Sequence, residues 1–364
     1  MKSARKMFAI FATTLMMTAL LAVPTFAASD AEFTDVPPDS PWYEGVTYLA
    51  ENGITAGTGS NCYSPDLPIT VRQWAVMVCR AFNKEDALSD ATAPFGELCI
   101  RQGYQEGWLS MECVTEPDTQ MCRGAVLTSI FQAMGFELYD CTLYPDNEEL
   151  TTWEYVLQLS KESGLCTTEA TTSEILTRGE IAKLLYAAQT LKITIPTPPL
   201  LDILPIDNKS NANLNSYLIQ LDRLPDIILD TYVAKGWDFV IDYDYLDRFS
   251  EERGMNCIGV TSYGSKQIIV SSSEATIHEF GHFLDKVLGF PAKHKELYQA
   301  ELEAARPILH DYATTNHKEY FAEYFDYWIC WNSYPERMAK LQEATPLTYE
   351  YFMSLSQSNW GCAK

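Results

Sequence analysis

The chain is poor in histidine, in basic residues and in long apolar runs, and each shortage restricts its function. Histidine occupies 5 of the 364 positions. Lysine and arginine together number 26 against 49 aspartate and glutamate residues, which gives a net charge of −23 at pH 7. Because such an acidic chain repels polyanions, neither nucleic acid nor an anionic membrane surface is a predicted partner. A hydrophobic content of 47% and a charged content of 21% are those of a globular protein.

A single run is long and apolar enough to suggest a membrane or export segment. Met7–Val23 carries no charge, follows three basic residues and precedes a stretch of small residues that ends near Ala27. This order is typical of a secretory signal peptide, which we predict over residues 1–27. A transmembrane anchor is the alternative, but 17 residues are at the short limit for a bilayer span. The prediction is an exported protein that is free of the membrane after cleavage.

The ten cysteines lack any short repeating spacing, and seven of them lie before residue 170. An even number of cysteines in an exported chain permits disulfides. Free buried thiols are equally compatible with this spacing, and the sequence leaves the pairing open.

The first half of the chain contains three copies of a helix–loop–helix unit, over about residues 33–83, 94–136 and 143–190. Positions that align between copies are the aspartates Asp35 and Asp146, the tryptophans Trp42 and Trp153, and the glycines Gly53, Gly107 and Gly164. Neither helix of such a unit can bury its apolar face alone. The copies are therefore expected to pack on one another.

A short turn opens the second helix of each copy, and each turn contains an arginine. The turns are "TVRQ" with Arg72, "MCRG" with Arg123 and "TRGE" with Arg178. The repeats resemble S-layer homology repeats over roughly residues 33–190. This resemblance implies an all-α module that holds the protein on a Gram-positive cell wall, with the three arginines contacting an anionic secondary cell-wall polysaccharide. A fixed guanidinium can bind carboxylate oxygens in this way. The alternative is that each arginine caps or bridges helices.

The second half of the chain has a different pattern. Prolines in residues 191–205 predict an extended linker and a domain boundary. Beyond it, "NLNSYLIQLDRL" predicts a helix, while "WDFVIDYDY" and "NCIGVTSYGSKQIIVSS" predict strands, the latter a hairpin turning at Tyr263–Ser265. Helices are predicted over residues 274–288, 292–309 and 317–331. Strands followed by helices indicate an α+β domain over residues 206–364.

The segment "SSSEATIHEFGHFLDKV" carries the strongest chemical signal. His278 and His282 are four residues apart, which places both rings on one face of a helix that Ser273 is predicted to cap. Two imidazole nitrogens at this spacing can share a Zn²⁺ ion. Glu279 is adjacent to the first histidine, where a carboxylate can take a proton from water on the metal.

A third ligand is needed, and three residues are candidates: His310, His317 and Glu319. Glu319 is favoured because Glu323 follows it by one helical turn and can orient a ligand histidine through a hydrogen bond. Two histidines, one glutamate and an open position are typical of catalytic zinc sites. An ordinary amphipathic helix with two histidines is the alternative.

"HEFGHFLD", followed by a tyrosine and, seven residues after that tyrosine, by a glutamate, resembles the catalytic domain of the anthrax lethal factor family. The small exported relatives of that family are the Pro-Pro endopeptidases. The resemblance covers roughly residues 206–364 and implies a zincin-like metallopeptidase domain with one Zn²⁺ per chain. It implies His278, His282 and Glu319 as ligands and Glu279 as the general base. It also implies that Tyr312 steadies the oxyanion and that the hairpin aligns the substrate as an added strand.

The sequence therefore predicts a multidomain protein, with an all-α three-repeat S-layer homology module followed by an α+β zincin-like metallopeptidase domain. The predicted function is that of a wall-anchored zinc endopeptidase acting on extracellular proteins, with Pro-Pro bonds as the candidate specificity. Two alternatives are a catalytically inactive wall-anchored binding protein and a secreted toxin-type metalloprotease that acts on a host protein.

Overall fold

A computed structural model describes residues 33–85, 93–144 and 149–362. The predicted signal peptide and Asp146 lie outside these ranges. Within them, no helix combines the length and the apolarity that crossing a membrane requires. The described residues form two compact units: one contains those up to Cys122 together with Ile175–Leu191, and the other contains those of Arg123–Glu174 together with those from Lys192 onward.

The described ranges contain helices and four short strands, numbered along the chain. The helices are α1 (Tyr43–Glu51), α2 (Val71–Ala81), α3 (Phe95–Gln105), α4 (Met111–Thr115), α5 (Arg123–Ala133), α6 (Thr152–Glu162), α7 (Arg178–Thr190), α8 (Pro199–Ile203), α9 (Asn215–Asp222), α10 (Asp226–Ala234), α11 (Tyr243–Arg253), α12 (Thr276–Val287), α13 (Ala292–Leu309), α14 (His317–Trp331), α15 (Pro335–Ala344) and α16 (Pro346–Gln357). The strands are β1 (Ile206–Asn208), β2 (Asp238–Ile241), β3 (Gly259–Ser262) and β4 (Gln267–Val270).

In the first unit, helices pack across the predicted repeats rather than within them. Helix α2 packs against α3, and α1 packs against α7. The pair α5 and α6, which belongs to the second unit, follows the same pattern. Two of the pairs join the second helix of one predicted copy to the first helix of the next, and α7 of the third copy packs against α1 of the first. This packing explains why a single copy has no core of its own.

Three short backbone segments form a closed hydrogen-bonded ring at the centre of the first unit. Ile69 N–H donates to Leu176 C=O at 3.1 Å, Leu176 N–H to Met121 C=O at 3.0 Å, and Met121 N–H to Ile69 C=O at 3.0 Å. Each residue lies at the same place in its predicted copy, just before the second helix. Thr70 and Thr177 then begin α2 and α7 with capping boxes.

All ten cysteines are free thiols in the structure. Cys79 on α2 and Cys99 on α3 are both fully buried, and the two helices that carry them pack against each other.

The second unit contains a mixed sheet with the strand order β1–β2–β4–β3. Strands β1, β2 and β4 are parallel, whereas β3 runs antiparallel to β4 and forms one edge. The inner strands β2 and β4 are largely buried. The hairpin of β3 and β4 confirms the predicted strands, with the turn at residues 263–266 between them. Its edge strand lies against α12.

Local capping changes three of the predicted elements. The stretch "WDFVIDYDY" is a strand only as far as Ile241, because the Asp242 side chain accepts a hydrogen bond from Tyr245 N–H and starts α11. Residues 199–203 are helical rather than extended, since Pro199 occupies a first-turn position that tolerates proline. Ser273 is not the cap of α12: a 3₁₀ turn at residues 273–275 precedes that helix, and Ser272 caps the turn.

A buried carboxylate joins the last helices of the second unit. Glu301 on α13 accepts hydrogen bonds from Leu347 N–H and Thr348 N–H, both at 2.8 Å, and from the Thr348 hydroxyl at 2.6 Å. These donors lie in the first turn of α16, where the helix dipole favours a negative charge. Glu301 therefore fixes α16 on α13.

Glu301→Gln should lower the free energy of unfolding by about 1–3 kcal/mol, because buried donors lose their charged acceptor. Urea denaturation followed by circular dichroism measures the difference. Glu303→Gln, on an exposed face of the same helix, is the matched control and should change stability by less than about 0.5 kcal/mol. Equal effects of the two substitutions would contradict this role for Glu301.

Candidate metal centre

Helix α12 presents two histidines and a glutamate on a buried face. His278, Glu279 and His282 are 8%, 5% and 9% exposed. The two imidazole rings lie with their centroids 4.8 Å apart and nearly perpendicular, at 81°. The i, i+4 spacing therefore places both rings side by side, as predicted from the sequence.

Helix α14 supplies the third side chain, Glu319, from its first turn, which a capping residue holds in place. The Asn316 side chain accepts hydrogen bonds from Lys318 N–H at 2.8 Å and Glu319 N–H at 3.2 Å, which caps the helix. Glu319 thus occupies a position where a carboxylate is favoured by the helix dipole. Its side chain points towards α12 and contacts both histidines.

A close approach of the two helices makes this contact geometrically feasible. A Cβ atom built on Gly281 would lie 2.7 Å from the Cα atom of Ala322, which is closer than real Cβ atoms come to other atoms. Gly281 lies between the two histidines, and Ala322 lies one turn after Glu319. Two small residues therefore bring the backbones together where the three side chains must converge. A glycine inside a helix that is otherwise rich in apolar residues, as Gly281 is, indicates such a close helix contact.

The three side chains converge on one point. One carboxylate oxygen of Glu319 lies 3.1 Å from Nε2 of His278 and 3.1 Å from Nε2 of His282. The three candidate ligand atoms all lie within 4.8 Å of one another, and this is the one such group found among the described residues. His310 and His317, the alternative third ligands, are not part of it. Two imidazoles and one carboxylate are a donor set that suits a divalent transition metal.

Glu323 lies behind His278, on the side away from the convergence point. Its carboxylate is 2.8 Å from Nδ1 of that ring, in ion-pair contact but without the alignment of a linear hydrogen bond. The contact places Nε2 of His278 towards Glu319. This is the position in which an outer carboxylate orients a ligand histidine.

The carboxylate of Glu279 contacts the edge strand β3. It accepts a 2.6 Å hydrogen bond from the Thr261 hydroxyl, which also donates to the Glu279 main-chain carbonyl at 3.1 Å. A Cβ atom on Gly259 would lie 2.7 Å from this carboxylate, so glycine leaves the space that Glu279 occupies. Neither Thr261 nor Gly259 was predicted as a site residue, because their partner Glu279 lies about 20 residues further along the chain.

Tyr312 lies at the mouth of the site. It belongs to a 3₁₀ turn at residues 311–314, directly before α14, and is 48% exposed. Its ring centroid is 5.6 Å from that of His278. Burial and the nearby carboxylates of Glu319 and Glu279 raise the pKa of the Tyr312 phenol to about 12. The hydroxyl is therefore protonated, and able to donate, throughout the neutral pH range.

Burial and ion pairing act in opposite directions on the pKa values of His278, Glu319 and Glu279. Burial works to lower the pKa of His278, but the carboxylates of Glu319 and Glu323 outweigh it and raise that pKa to about 10. Burial works to raise the pKa of Glu319, but hydrogen bonds from the two imidazoles hold it well below its usual range. For Glu279 burial dominates and raises the pKa, although His278 and His282 oppose it.

The three arginines of the predicted repeats have partners within the protein. Arg178 is buried, donates from Nε to Tyr63 C=O at 2.9 Å and stacks on the Tyr63 ring. Arg123 is also buried and pairs with Glu174 at 2.8 Å. Arg72 is the most exposed, with 35% of its side chain accessible, and pairs with Asp118 at 3.2 Å. Their contacts with a polysaccharide stay predictions.

Gly281→Ala should weaken Zn²⁺ binding at least tenfold, because the added methyl forces α14 away and moves Glu319 off the histidines. Competition with a chromogenic chelator measures the affinity. Gly264→Ala is the matched control, since a methyl there meets no atom within 4 Å. An unchanged affinity in the Gly281 variant would show that the helix contact does not set the ligand geometry.

Metal binding should release about one proton at pH 7. His278 is charged below its raised pKa of about 10, so a cation must displace that proton, whereas Glu319 is already ionised. Affinity should therefore rise with pH, about tenfold per unit, up to about pH 10. Calorimetric titration of Zn²⁺ in two buffers of different ionisation enthalpy counts the protons, with EDTA as the calibrant. An affinity that is constant between about pH 6.5 and 8.5 would contradict the pKa argument.

Comparison with known protein families gives two matches. Residues 212–355 match the family model described as "Anthrax toxin lethal factor, N- and C-terminal domain". Residues 32–70 match the model for the S-layer homology domain. A search of curated proteins finds no match to the chain. The lethal factor match includes all the residues of the candidate metal centre, and the S-layer homology match covers most of the first predicted repeat. The chain thus combines an S-layer homology segment with an anthrax lethal factor-like segment, as the sequence predicted.

Proposed function

We propose that the protein is an exported zinc endopeptidase held on the cell wall, and that it hydrolyses peptide bonds in extracellular proteins. The observation that carries the proposal is the convergence of His278, His282 and Glu319 beside a buried Glu279. A metal site that served only structure would need neither an additional carboxylate nor an adjacent edge strand. The match to the lethal factor family over the same residues supports it.

The residues present fit a Zn²⁺ ion, which His278, His282 and Glu319 would hold. Bound there, Zn²⁺ would polarise the carbonyl of the peptide bond and lower the pKa of a water molecule. Glu323 keeps the ring of His278 oriented for this task. Glu323 is therefore part of the site, although it is not itself a proposed ligand.

Glu279 is the proposed general base. Its carboxylate takes a proton from the attacking water while the water oxygen adds to the carbonyl carbon. It then passes that proton to the amide nitrogen as the C–N bond breaks, giving a carboxylate and an amine. A pKa that burial raises brings the carboxylate closer to the working pH, which makes both transfers feasible. Thr261 holds the carboxylate in place.

Tyr312 and strand β3 are the proposed substrate contacts. The Tyr312 phenol donates a hydrogen bond to the oxygen that becomes negative during the attack. Strand β3 is an edge strand next to the metal centre, so an extended peptide can pair with its free backbone groups. An extended segment is the substrate class, with proline-flanked bonds as the specificity to be tested.

Glu279→Ala should retain Zn²⁺ and lose at least about 10³-fold in peptide cleavage, because the proton acceptor is gone while the ligands remain. Incubation of the mature protein with a randomised peptide library, followed by mass spectrometry, measures both cleavage and its sequence preference. Metal analysis of each sample gives the zinc content.

Two further variants complete this experiment. Tyr312→Phe should cleave the same bonds about 10²-fold more slowly. Tyr334→Phe, a similarly exposed tyrosine outside the site, should be unaffected. Cleavage by wild-type and Glu279→Ala protein at equal rates would remove Glu279 from the mechanism. Zinc-loaded wild-type protein that cleaves nothing would favour a binding role.

Cell-wall attachment is the second part of the proposal and rests on the S-layer homology match. Arg72→Gln should weaken sedimentation with purified cell walls by about two- to fivefold, the size expected for one partly exposed charge contact. Arg80→Gln is the control, because its side chain is 33% exposed on the same helix. Equal binding of all three proteins would exclude Arg72 from the wall-binding surface.

A further inference from the structure

Two aromatic rings and two lysines form a cluster beside the metal centre, which we name the lysine–aromatic cluster: Tyr263, Lys286, Phe290 and Lys318. The rings of Tyr263 and Phe290 meet edge to face with centroids 5.4 Å apart. The Lys318 ammonium lies 4.8 Å from the Phe290 centroid and 6.0 Å from that of Tyr263. The Lys286 ammonium lies 5.2 Å from the Phe290 centroid. Three elements thus meet here: the hairpin turn, the end of α12 and the start of α14.

The cluster lies at a fixed distance from the catalytic residues. Tyr263 directly follows β3, and Thr261, two residues earlier, holds the Glu279 carboxylate. An extended chain advances by about 3.3 Å per residue, so Tyr263, in the turn, lies at most about 7 Å beyond Thr261 along the chain. Lys318 is adjacent to Glu319 on α14. A peptide paired with β3 would therefore place one side chain against the cluster, about two residues from the cleaved bond.

The charges of the cluster are unusual for this chain. The protein has a net charge of −23, yet among the described residues no carboxylate lies within ion-pair distance of Lys286 or Lys318. Both ammonium groups face the same ring, so at most 10 Å separates them. Two like charges at this distance repel each other, and an anion that binds near both would offset that repulsion. The cluster therefore suits a negatively charged group.

The backbone is strained where it presents the central ring. Phe290 has a φ of 53° and follows Gly289 with a φ of 80°, so two successive residues are left-handed. A bulky aromatic residue rarely adopts this conformation. Strain of this kind persists mainly at binding and catalytic sites, where the surrounding structure enforces it. Here it holds the Phe290 ring with its centroid within 5.2 Å of both ammonium groups.

We propose that the lysine–aromatic cluster is a specificity subsite that binds a carboxylate of the peptide substrate, about two residues from the cleaved bond. The inference rests on the proposed peptidase function and assigns it a substrate class: extended peptides with an acidic group at one fixed position. The carboxylate belongs either to an aspartate or glutamate side chain or to the C-terminus of the peptide. The aromatic rings contact the aliphatic part of the same residue.

The test compares matched peptides. A fluorogenic peptide from the library experiment is made with aspartate or asparagine at each position within three residues of the cut, and with a free or an amidated C-terminus. The wild-type protein should cleave the aspartate peptide about tenfold faster than the asparagine peptide at one position. Lys286→Met/Lys318→Met should reduce this ratio to about one by slowing cleavage of the aspartate peptide alone. Lys295→Met, an exposed lysine on α13, is the control.

A binding assay separates failure of the subsite from failure of the proposed function. Fluorescence anisotropy measures the binding of pools of labelled acidic peptides and of their amide counterparts. Suppose that wild-type protein cleaves nothing but binds the acidic pool at least fivefold tighter than the amide pool, and that the double variant binds both pools equally. The peptidase proposal then fails and the subsite stands. A preference for free over amidated C-termini would assign the carboxylate to the chain end. Equal cleavage and equal binding of acidic and amide peptides would overturn the subsite.

Discussion

The contact between Gly281 and Ala322 is the constraint on which the metal centre depends. Glu319 and His278 each lie one turn before their contact residue, and His282 follows Gly281 directly. Residues three or four apart share a helix face, which groups His278 with Gly281 and with His282 on α12, and Glu319 with Ala322 on α14. The backbones must approach so closely that a methyl group on Gly281 would overlap Ala322. The same packing that buries the apolar face of α12 thus also brings three polar side chains together.

Burying several ionisable side chains together costs free energy, and their ion pairs and hydrogen bonds with one another offset part of that cost. An isolated buried charge costs several kcal/mol, and pairing reduces that cost without removing it. Glu319 contacts both imidazoles, Glu323 contacts the outer nitrogen of His278, and Thr261 donates to Glu279. The carboxylates of Glu319 and Glu323 raise the pKa of His278 and so favour its protonated form. A cation would replace a proton at the same point, which links metal binding to pH.

The surroundings of the site divide its tasks among different elements. Helices α12 and α14 carry the candidate ligands, the turn before α14 carries Tyr312, and the hairpin carries Thr261 and Tyr263. The candidate ligands on the helices are held by packing, whereas the side chain of Tyr312 is about half exposed to solvent. This arrangement suits a site whose floor is fixed and whose rim contacts an extended ligand. The lysine–aromatic cluster lies on that rim.

The sequence by itself determined what depends on local periodicity and capping. Helices at 292–309 and 317–331 were predicted from their helical patterns with the observed bounds. The four-residue spacing also placed His278 and His282 on one face. Local signals misled where a cap outweighed strand propensity, as at Asp242. The sequence favoured Glu319 over His310 and His317 as the third ligand, but only the tertiary structure brings it together with the two histidines. Only the tertiary structure, too, places Gly281 and Thr261 in the site and Lys286 and Lys318 near one ring. These contacts join residues that are distant in sequence, and the path of the chain between them is fixed by packing, which no local pattern encodes.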